Sequence, residues 1–291
     1  MTAAGTFGYG VEYAKIAKIH RLGAIICKGT TLHARAGNEH PRTLETASGM
    51  LNSIGLQNPG IHAVLRKYAP TWAGWQTPVL VNIAGETIEE FVALAEIIEG
   101  VEGVAGIEVN VSCPNIRAGG VIFGADPQAV ADVTAAIRRA TTLPMIVKLS
   151  PNSGDARPIA IAAAASGADA VSLINTITGM SIDTHNRRPT LANITGGLSG
   201  PAVKPIALRM VYEVAGALRS AYPNVPIIGI GGIGNAQDAL EFLMAGASAI
   251  QVGTMTFVNP RAGVEIIEGI ETFLQQEGVS EISEIIGVAL S

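Results

Sequence analysis

The segment VPIIGIGGIGNAQDALEFLMAGASAIQVGTMT, residues 225–256, decides the fold. It begins with an apolar run over residues 225–232 and ends with a second one over residues 249–256. Between them, residues 236–245 have the apolar spacing of a helix, and Asn235 with Asp238 three residues later resembles a capping box that uses Asp. Two short apolar runs joined by a helix are typical of a β-α-β unit, whose strands run parallel.

The same alternation continues towards the N-terminus, and the runs are apolar on both faces, as in buried parallel strands. The predicted strands are residues 23–31, 78–85, 106–113, 144–151, 170–176, 225–232 and 249–256. The predicted helices are residues 11–19, 60–69, 87–99, 127–140, 155–165, 202–221, 236–245 and 260–276. Asp126 before Pro127 predicts a helix start with an N-cap. Eight helices and seven full strands predict an α/β fold, a (β/α)8 TIM barrel.

The first strand of this barrel has too few residues. Residues 1–10 precede the first predicted helix, and residues 2–7 have room for the tip of a strand of about 5 to 6 residues but not for all of it. We therefore predict that strand 1 is truncated at the N-terminus. Our hypothesis is that the gene start is incomplete or that the chain was shortened artificially. A truncated strand would leave an open barrel edge that threatens stability. The longest stretch without a pattern, residues 179–200, is predicted as a functional loop.

The composition fits one large core. The chain has 291 residues, 48% of them hydrophobic and 15% charged, with a formal net charge of −5. Barrels of this type span about 250 residues, so we predict a single domain over residues 1–291. The acidic balance argues against a nucleic-acid partner, and no apolar run approaches the ~18 residues of a membrane span. Two cysteines cannot form a disulfide framework, and we predict a cytoplasmic protein.

Polar side chains interrupt the predicted strands near their C-terminal ends, where the active sites of such barrels lie. They are Lys28, Asn82, Asn110, Lys148, Asn175 and Thr176. Each one alone is equally well explained as a buried, hydrogen-bonded residue, but several strands share the feature. Because burying Lys28 and Lys148 without anionic partners is costly, we expect anionic groups of a ligand at the barrel mouth.

Glycines follow the last two predicted strands. One of these strands ends in Gly231 and Gly232, with Gly234 shortly after them, and the other ends in Gly253 and Thr254. Glycines let backbone N–H groups approach an anion closely, and a predicted helix start lies behind them at Asn235. This placement predicts a phosphate site of the type that follows strands 7 and 8 of many barrels. Tight βα turns are the alternative explanation.

The two cysteines differ in their surroundings. Cys113 follows the end of a predicted strand, whereas Cys27 lies inside an apolar one. A thiol has an ordinary pKa of about 8.5 and serves as a base or nucleophile where local dipoles favour the thiolate. Cys113 is therefore a candidate catalytic residue, with an inert thiol as the alternative, and Cys27 is a predicted core residue. The five histidines are scattered, so we predict no metal site.

Several motifs together resemble class 1 dihydroorotate dehydrogenases. The matching stretches are KGTTLH (residues 28–33), NSIGLQNPG (52–60), NVSCPN (110–115), NT (175–176), ANITGGLSGP (192–201) and GIGG (229–232). They are spread over nearly the whole chain. The TTLH and ANITGGLSG stretches are more similar to the catalytic subunit of the NAD-linked class 1B enzyme than to the fumarate-linked class 1A enzyme.

The resemblance implies FMN as the cofactor and the oxidation of dihydroorotate to orotate in pyrimidine (UMP) biosynthesis. The residues that it implies for FMN are Ala4, Lys28, Asn82, Asn110, Lys148, Ile174, Gly200, Gly231, Gly232, Gly253 and Thr254, with the phosphate on the last four. The residues that it implies for the substrate are Lys28, Asn52, Ser53, Ile54, Gly55, Leu56, Asn110, Asn115, Asn175 and Thr176. By the family mechanism, Cys113 removes the C5 proton while a hydride passes from C6 to flavin N5. Lys148 then stabilises negative charge on the reduced flavin.

The resemblance also implies partners. It implies a homodimer, and a heterotetramer with a second subunit that carries FAD and a [2Fe–2S] cluster and passes electrons to NAD. Two cysteines are too few to hold such a cluster in this chain. Two alternatives stay open: another FMN enzyme, similar to dihydropyrimidine dehydrogenase, and a flavin-binding subunit that is inactive alone, because of the short N-terminus or because electrons must leave through a partner.

Overall fold

The computed structural model describes residues 1–112, 117–118 and 121–290. Its strands are β1 (Ile25–Ile26), β2 (Thr43–Thr46), β3 (Gly49–Asn52), β4 (Val79–Ile83), β5 (Gly106–Asn110), β6 (Arg117–Ala118), β7 (Val121–Ile122), β8 (Met145–Lys148), β9 (Ala170–Leu173), β10 (Ile177–Met180), β11 (Ile182–Asp183), β12 (Arg188–Pro189), β13 (Thr195–Ser199), β14 (Ile227–Ile230) and β15 (Ala249–Gln251). Its α-helices are α1 (Ile61–Trp72), α2 (Ile88–Ile98), α3 (Pro127–Ala140), α4 (Ala156–Ala165), α5 (Lys204–Ala221), α6 (Ala236–Met244), α7 (Met255–Val258) and α8 (Ala262–Glu277). None of the helices in these ranges is long and apolar enough to cross a membrane.

Seven parallel strands form the main sheet in the order β1-β4-β5-β8-β9-β14-β15. Residues 1–3, which we call the closing segment, lie between its two edge strands. Thr2 forms a parallel bridge with Val252, the Val252 N–H donates to the Met1 carbonyl (3.0 Å), and the Thr2 N–H donates to the Ala24 carbonyl (3.3 Å). The predicted TIM barrel is confirmed. The closing segment is hydrogen-bonded to both edges of the sheet, so the open edge that we predicted is closed. The truncation of strand 1 stays a prediction.

The barrel strands bury both faces. Along β4, Val79 and Val81 pack in the large core between sheet and helices, whereas Leu80 belongs to a separate cluster inside the barrel. That inner cluster consists of Ala24, Ile26, Leu80, Ile146, Ala170 and Ile228. Burying one aliphatic side chain contributes about 1.5–3 kcal/mol, so both cores stabilise the barrel. Because side chains alternate along a strand, Asn82 lies on the inner face above Leu80, nearer the barrel mouth.

Two helix starts test the predicted caps. Asp126 accepts a hydrogen bond from the Gln128 N–H (3.0 Å), which confirms the cap ahead of α3. Asn235 caps α6 by accepting from the Asp238 N–H (3.0 Å). The Asp238 carboxylate does not return this bond, since it accepts from the Gly234 N–H (2.9 Å) and from Lys204 Nζ (2.7 Å). The predicted capping box is therefore only half formed.

The predicted helix over residues 11–19 is wrong. The segment forms turns and ends in a short 3-10 helix at Ile19–Arg21, and Lys18 before it has a left-handed backbone (φ 46°). The apolar side chains that produced the helical pattern serve tertiary packing instead. Tyr13, for example, stacks on Phe7 with 4.5 Å between ring centroids.

A second, antiparallel sheet was not predicted. It has the order β10-β13-β3-β2, and it contains both ends of the stretch that we predicted as a loop, residues 179–200, while β11 and β12 between them form a separate two-stranded sheet. Its register places Asn52 opposite Gly197. A Cβ on Gly197 would lie 2.0 Å from Thr176 Oγ1, so this close approach requires glycine. The sheet therefore brings the segments around Asn52 and Thr176 together.

Candidate cofactor and substrate site

A polar layer lies above the inner apolar cluster, towards the carboxyl ends of the barrel strands. At its centre is Glu108 of β5, which is fully buried (0% exposed). Glu108 Oε2 accepts a hydrogen bond from Asn82 Nδ2 (2.7 Å). Glu108 Oε1 accepts from Ser172 Oγ (3.0 Å) and from Gln251 Nε2 (2.7 Å). Donors from three other strands therefore fix one carboxylate inside the barrel.

Sequence reasoning missed Glu108 and its partners Ser172 and Gln251. A signal was present, because an acidic residue inside an apolar strand, GIEVN at residues 106–110, is rarely buried without partners. The partners themselves carry no local signal, since Ser172 and Gln251 stand 64 and 143 residues from Glu108.

Lys148 ends β8 beside this polar layer. Its side chain is 6% exposed, and Nζ lies 3.7 Å from Glu108 Oε2. We expected an anionic ligand group as the partner of Lys148, but the chain itself supplies the countercharge. The 3.7 Å separation is longer than a hydrogen bond, so the ion pair uses none of the N–H donors of the ammonium.

Lys28 follows β1 and lines the wall of a cavity. Burial lowers the pKa of Lys28, the Arg42 guanidinium lowers it further, and Glu12 opposes both effects. This cavity is shallow and wide open to solvent, has a volume of about 360 Å³ and is lined by Tyr9, Lys28, Arg35, Gln57, Asn58 and Pro59. This size suits a small molecule. An anionic group there would compensate the partly desolvated ammonium, as the sequence predicts.

Amide side chains meet at the ends of β5 and β9. Asn175 Nδ2 donates to Asn110 Oδ1 (3.3 Å), and the Thr176 N–H donates to Asn175 Oδ1 (2.8 Å). Asn82 Oδ1 is buried and has no hydrogen-bond partner within the described part of the chain. The mouth therefore offers a buried acceptor at Asn82 and amide groups at Asn110 and Asn175 that suit a polar ligand.

The predicted substrate loop, residues 52–56, reaches the same place. Gly55 (φ 73°) and Leu56 (φ 54°) have left-handed backbones. A Cβ on Gly29 would lie 3.1 Å from Asn82 Oδ1 and 3.3 Å from Leu56 Cδ2, so the loop end and Asn82 face each other across Gly29. Ser53 Oγ is buried and lacks a partner among the residues described. The loop also contains Asn52 and Ile54, of which Asn52 donates to the Gly197 carbonyl (3.4 Å).

The glycine cradle, which we define as Gly231, Gly232, Gly253 and Thr254, lies at the ends of the last two barrel strands. Gly231 (φ 129°) and Gly232 (φ 72°) have positive φ angles. A Cβ on Gly232 would lie 2.8 Å from the backbone nitrogen of Lys204, and one on Gly231 would lie 3.3 Å from Ile174 Cγ1. In residues 1–112 and 121–290, the N–H groups of Gly232 and Gly253 find no acceptor. Unpaired backbone donors at such a place suit a phosphate.

The other predicted phosphate and cofactor residues border the cradle. Thr254 Oγ1 donates to Ser199 Oγ (2.8 Å), and a Cβ on Gly200 would lie 3.6 Å from Thr254 Cγ2. A Cβ on Gly253 would lie 3.4 Å from Ala3 Cβ, which places the neighbouring Ala4 at this end of the site. Cys113 and Asn115 lie outside the described residues.

These features fit FMN. The unpaired N–H groups of the cradle suit its phosphate, and the buried acceptor Asn82 Oδ1 with the donor Lys148 suits the polar edge of a planar ring. Fold and site together define the class: an α/β barrel enzyme built around a phosphorylated cofactor.

Comparison with known proteins gives the family. The profile of the dihydroorotate dehydrogenase family matches residues 1–274, and the chain belongs to this family. It is 52% identical over 291 residues to the protein named dihydroorotate dehydrogenase B (NAD(+)), catalytic subunit, of Geotalea uraniireducens (strain Rf4), covering 100% of this chain and 94% of that one. The protein of the same name from Geotalea daltonii is 54% identical over 287 residues, 99% of this chain and 92% of that one. The resemblance to class 1B is confirmed.

A solved structure supports the fold. The crystal structure of DHODH in complex with ferulenol from Eimeria tenella superposes with a TM-score of 0.80, covering 99% of this chain and 84% of that one at 21% identity. At this identity the likeness concerns the fold alone.

Proposed function

We propose that this chain is the catalytic subunit of an NAD-linked dihydroorotate dehydrogenase, which oxidises (S)-dihydroorotate to orotate in pyrimidine (UMP) biosynthesis with FMN as its cofactor. The observation that carries this proposal is the barrel mouth. Three groups lie there on the same edge of one sheet: the glycine cradle, the two buried side chains of Lys148 and Asn82, and the hydrogen-bonded amides of Asn110 and Asn175. The identity of 52–54% to relatives with this name supports it.

The cofactor is held at both ends of the mouth. When bound, FMN supplies the acceptor for the hydride that leaves substrate C6. The N–H groups of Gly232 and Gly253 bind the phosphate, since hydrogen bonds to a charged acceptor are the stronger ones. Lys148 donates to the ring and stabilises negative charge there, while Asn82 accepts. The full set that we propose for FMN is Ala4, Lys28, Asn82, Asn110, Lys148, Ile174, Gly200, Gly231, Gly232, Gly253 and Thr254.

The substrate binds above the amide groups. The side chains of Asn110 and Asn175 offer donors and acceptors that match the imide edge of a pyrimidine. Lys28, half-buried in the 360 Å³ cavity, binds the carboxylate. The set that we propose for the substrate is Lys28, Asn52, Ser53, Ile54, Gly55, Leu56, Asn110, Asn115, Asn175 and Thr176.

Cys113 acts as the general base in this proposal, on the strength of the sequence resemblance. The C5–H bond of dihydroorotate breaks and its proton moves to Cys113 Sγ, while the C6 hydride leaves and the C5=C6 double bond forms. A positioned base contributes about 10²- to 10⁴-fold to a rate.

Cys113→Ala should therefore retain FMN but reduce it with dihydroorotate at least about 100-fold more slowly at neutral pH. Anaerobic stopped-flow absorbance measures this rate per bound flavin. Cys27→Ala is the matched control, because Cys27 is a fully buried core thiol; it should reduce at the wild-type rate. Wild-type reduction in Cys113→Ala would remove Cys113 from the mechanism.

The relatives are named catalytic subunits, and we propose a corresponding partner here. The partner carries FAD and a [2Fe–2S] cluster and passes electrons to NAD, in a heterotetramer built on a homodimer of this chain. The two cysteines of this chain are too few for a cluster of its own. We also propose a cytoplasmic location, since two cysteines suit a reducing compartment.

The test is an anaerobic visible spectrum of the purified chain before and after addition of dihydroorotate. The proposal expects bound flavin that bleaches with dihydroorotate and not with dihydrouracil. Bleaching by dihydrouracil alone would favour a dihydropyrimidine dehydrogenase-like enzyme. If flavin binds but neither dihydroorotate nor dihydrouracil bleaches it, and no turnover occurs with an artificial electron acceptor, the chain is a subunit that is inactive alone. A protein that takes up no FMN would contradict the proposal.

A further inference from the structure

Glu108 is a buried charge that the proposed mechanism does not use. It is 0% exposed, and three neutral donors, from Asn82, Ser172 and Gln251, hold both of its oxygens. A buried carboxylate is unfavourable unless it is hydrogen-bonded and paired with a cation. The barrel could have filled this position with an apolar side chain, as it does one layer below with Ile146 and Ile228.

The carboxylate controls two groups that face the cofactor position. Lys148 Nζ lies 3.7 Å from Glu108 Oε2, close enough for charge compensation and too far for a hydrogen bond. Asn82 donates its Nδ2 to the same oxygen at 2.7 Å, which leaves Oδ1 of the amide without a partner in the described part of the chain. Glu108 therefore orients the Asn82 amide so that its oxygen is free to accept a hydrogen bond. It also compensates the charge of Lys148 without using the N–H donors of the ammonium, which stay available to a ligand.

We propose that Glu108 is a positioning residue of the active site, which supplies the countercharge of the Lys148 ammonium and sets the orientation of the Asn82 amide towards the cofactor ring. This inference rests on the proposed use of FMN. A charged donor and a neutral acceptor, held side by side on a buried carboxylate, complement a ring edge that carries both a carbonyl oxygen and an N–H group.

Other ionisable groups do not replace Glu108 in this role. Among the described residues, Glu108 is the acid that pairs with Lys148. The Cys27 thiol, which feels the charge of Glu108, is neutral because burial raises its pKa to about 12. Without Glu108, the buried ammonium loses its countercharge, and a buried charge without a partner is unfavourable.

The test is a double-mutant cycle of Glu108→Gln and Lys148→Met. We expect Glu108→Gln to retain FMN through the cradle but to reduce it with dihydroorotate at least about tenfold more slowly, with a lower midpoint potential for the bound flavin, as in Lys148→Met. In the double variant, the losses in rate and potential should be clearly smaller than the combined losses of the two single variants, because the part of the Glu108 effect that passes through Lys148 is already absent. Glu213→Gln on the outer face of α5 is the isosteric control and should behave as wild type.

A second measurement keeps the proposal testable if a single variant folds poorly. In FMN-free protein, each single change leaves one buried charge unpaired and should lower the midpoint of thermal unfolding, whereas the double change removes both charges and should recover part of the loss. This cycle does not depend on the proposed function, whose own failure would show as absent FMN binding or bleaching in the wild type. An unchanged or raised potential in Glu108→Gln, or additive losses in the double variant, would overturn the proposal.

Discussion

Replacing Gly232 with valine should abolish FMN uptake at cofactor concentrations that saturate the wild type. Gly232 has φ 72°, which a β-branched residue adopts only under strain, and a Cβ there would lie 2.8 Å from the Lys204 nitrogen. Strain and overpacking each cost about 1–3 kcal/mol. Lys204 cannot move aside easily, because it begins α5 and its Nζ binds Asp238 (2.7 Å) and Glu241 (3.0 Å).

The cradle loop must therefore shift, and the Gly232 N–H moves away from the position that we propose for the phosphate. We expect the dissociation constant for FMN to rise at least about 100-fold, which corresponds to about 2.7 kcal/mol. Quenching of FMN fluorescence measures it, and circular dichroism shows whether the barrel is folded. Gly234→Ala is the matched control, because a Cβ on Gly234 would meet its nearest atom, Asp238 Oδ2, only at 3.6 Å. Equal FMN affinity in the two variants would show that the cradle does not hold the phosphate.

Lys148→Met should slow the reduction of bound FMN by dihydroorotate about 10²- to 10³-fold, the usual loss when one donor to developing negative charge is removed. Methionine keeps most of the buried stem volume but neither charge nor donor. The cradle is unchanged, so flavin content should stay close to that of the wild type. Anaerobic stopped-flow absorbance, normalised to bound flavin, measures the effect.

The variant should also unfold more readily, because Glu108 loses its cation; breaking a buried ion pair costs about 3–5 kcal/mol. Comparison with Lys15→Met separates the two effects, since Lys15 is exposed and should change neither the rate nor the stability. If Lys148→Met reduces its flavin at the wild-type rate, Lys148 has no role in stabilising charge.

Regular alternation made most of the barrel predictable. The helix over residues 127–140 has the predicted bounds, and Asp155, which opened a predicted helix, caps α4. The residues at strand ends were predictable for the same reason, because parallel strands bring their carboxyl ends to one edge. The structure places Lys148, Asn82 and the cradle glycines at this edge, and their roles in binding stay predictions.

The failures come from long-range contacts. The apolar spacing of residues 11–19 arises from packing such as Tyr13 on Phe7, and it imitated a helix. The sheet of β2, β3, β10 and β13 is short and rich in glycine, so its strands carry little pattern of their own, and pairs such as Asn52 with Gly197 form only in the fold. Glu108 was overlooked because its meaning depends on partners from three other strands.

The closing segment has a consequence for how the protein is made. The Met1 ammonium donates to the Ile250 carbonyl (2.9 Å), a contact across 249 positions of the chain. At about 5–20 residues per second, a ribosome needs about 12–50 seconds to synthesise the chain between the closing segment and the last barrel strand. During this time the outer edge of the closing segment lacks its neighbour β15, and such an edge invites pairing with other nascent chains. We therefore expect the growing chain to be most exposed to such pairing in the period before its two ends meet.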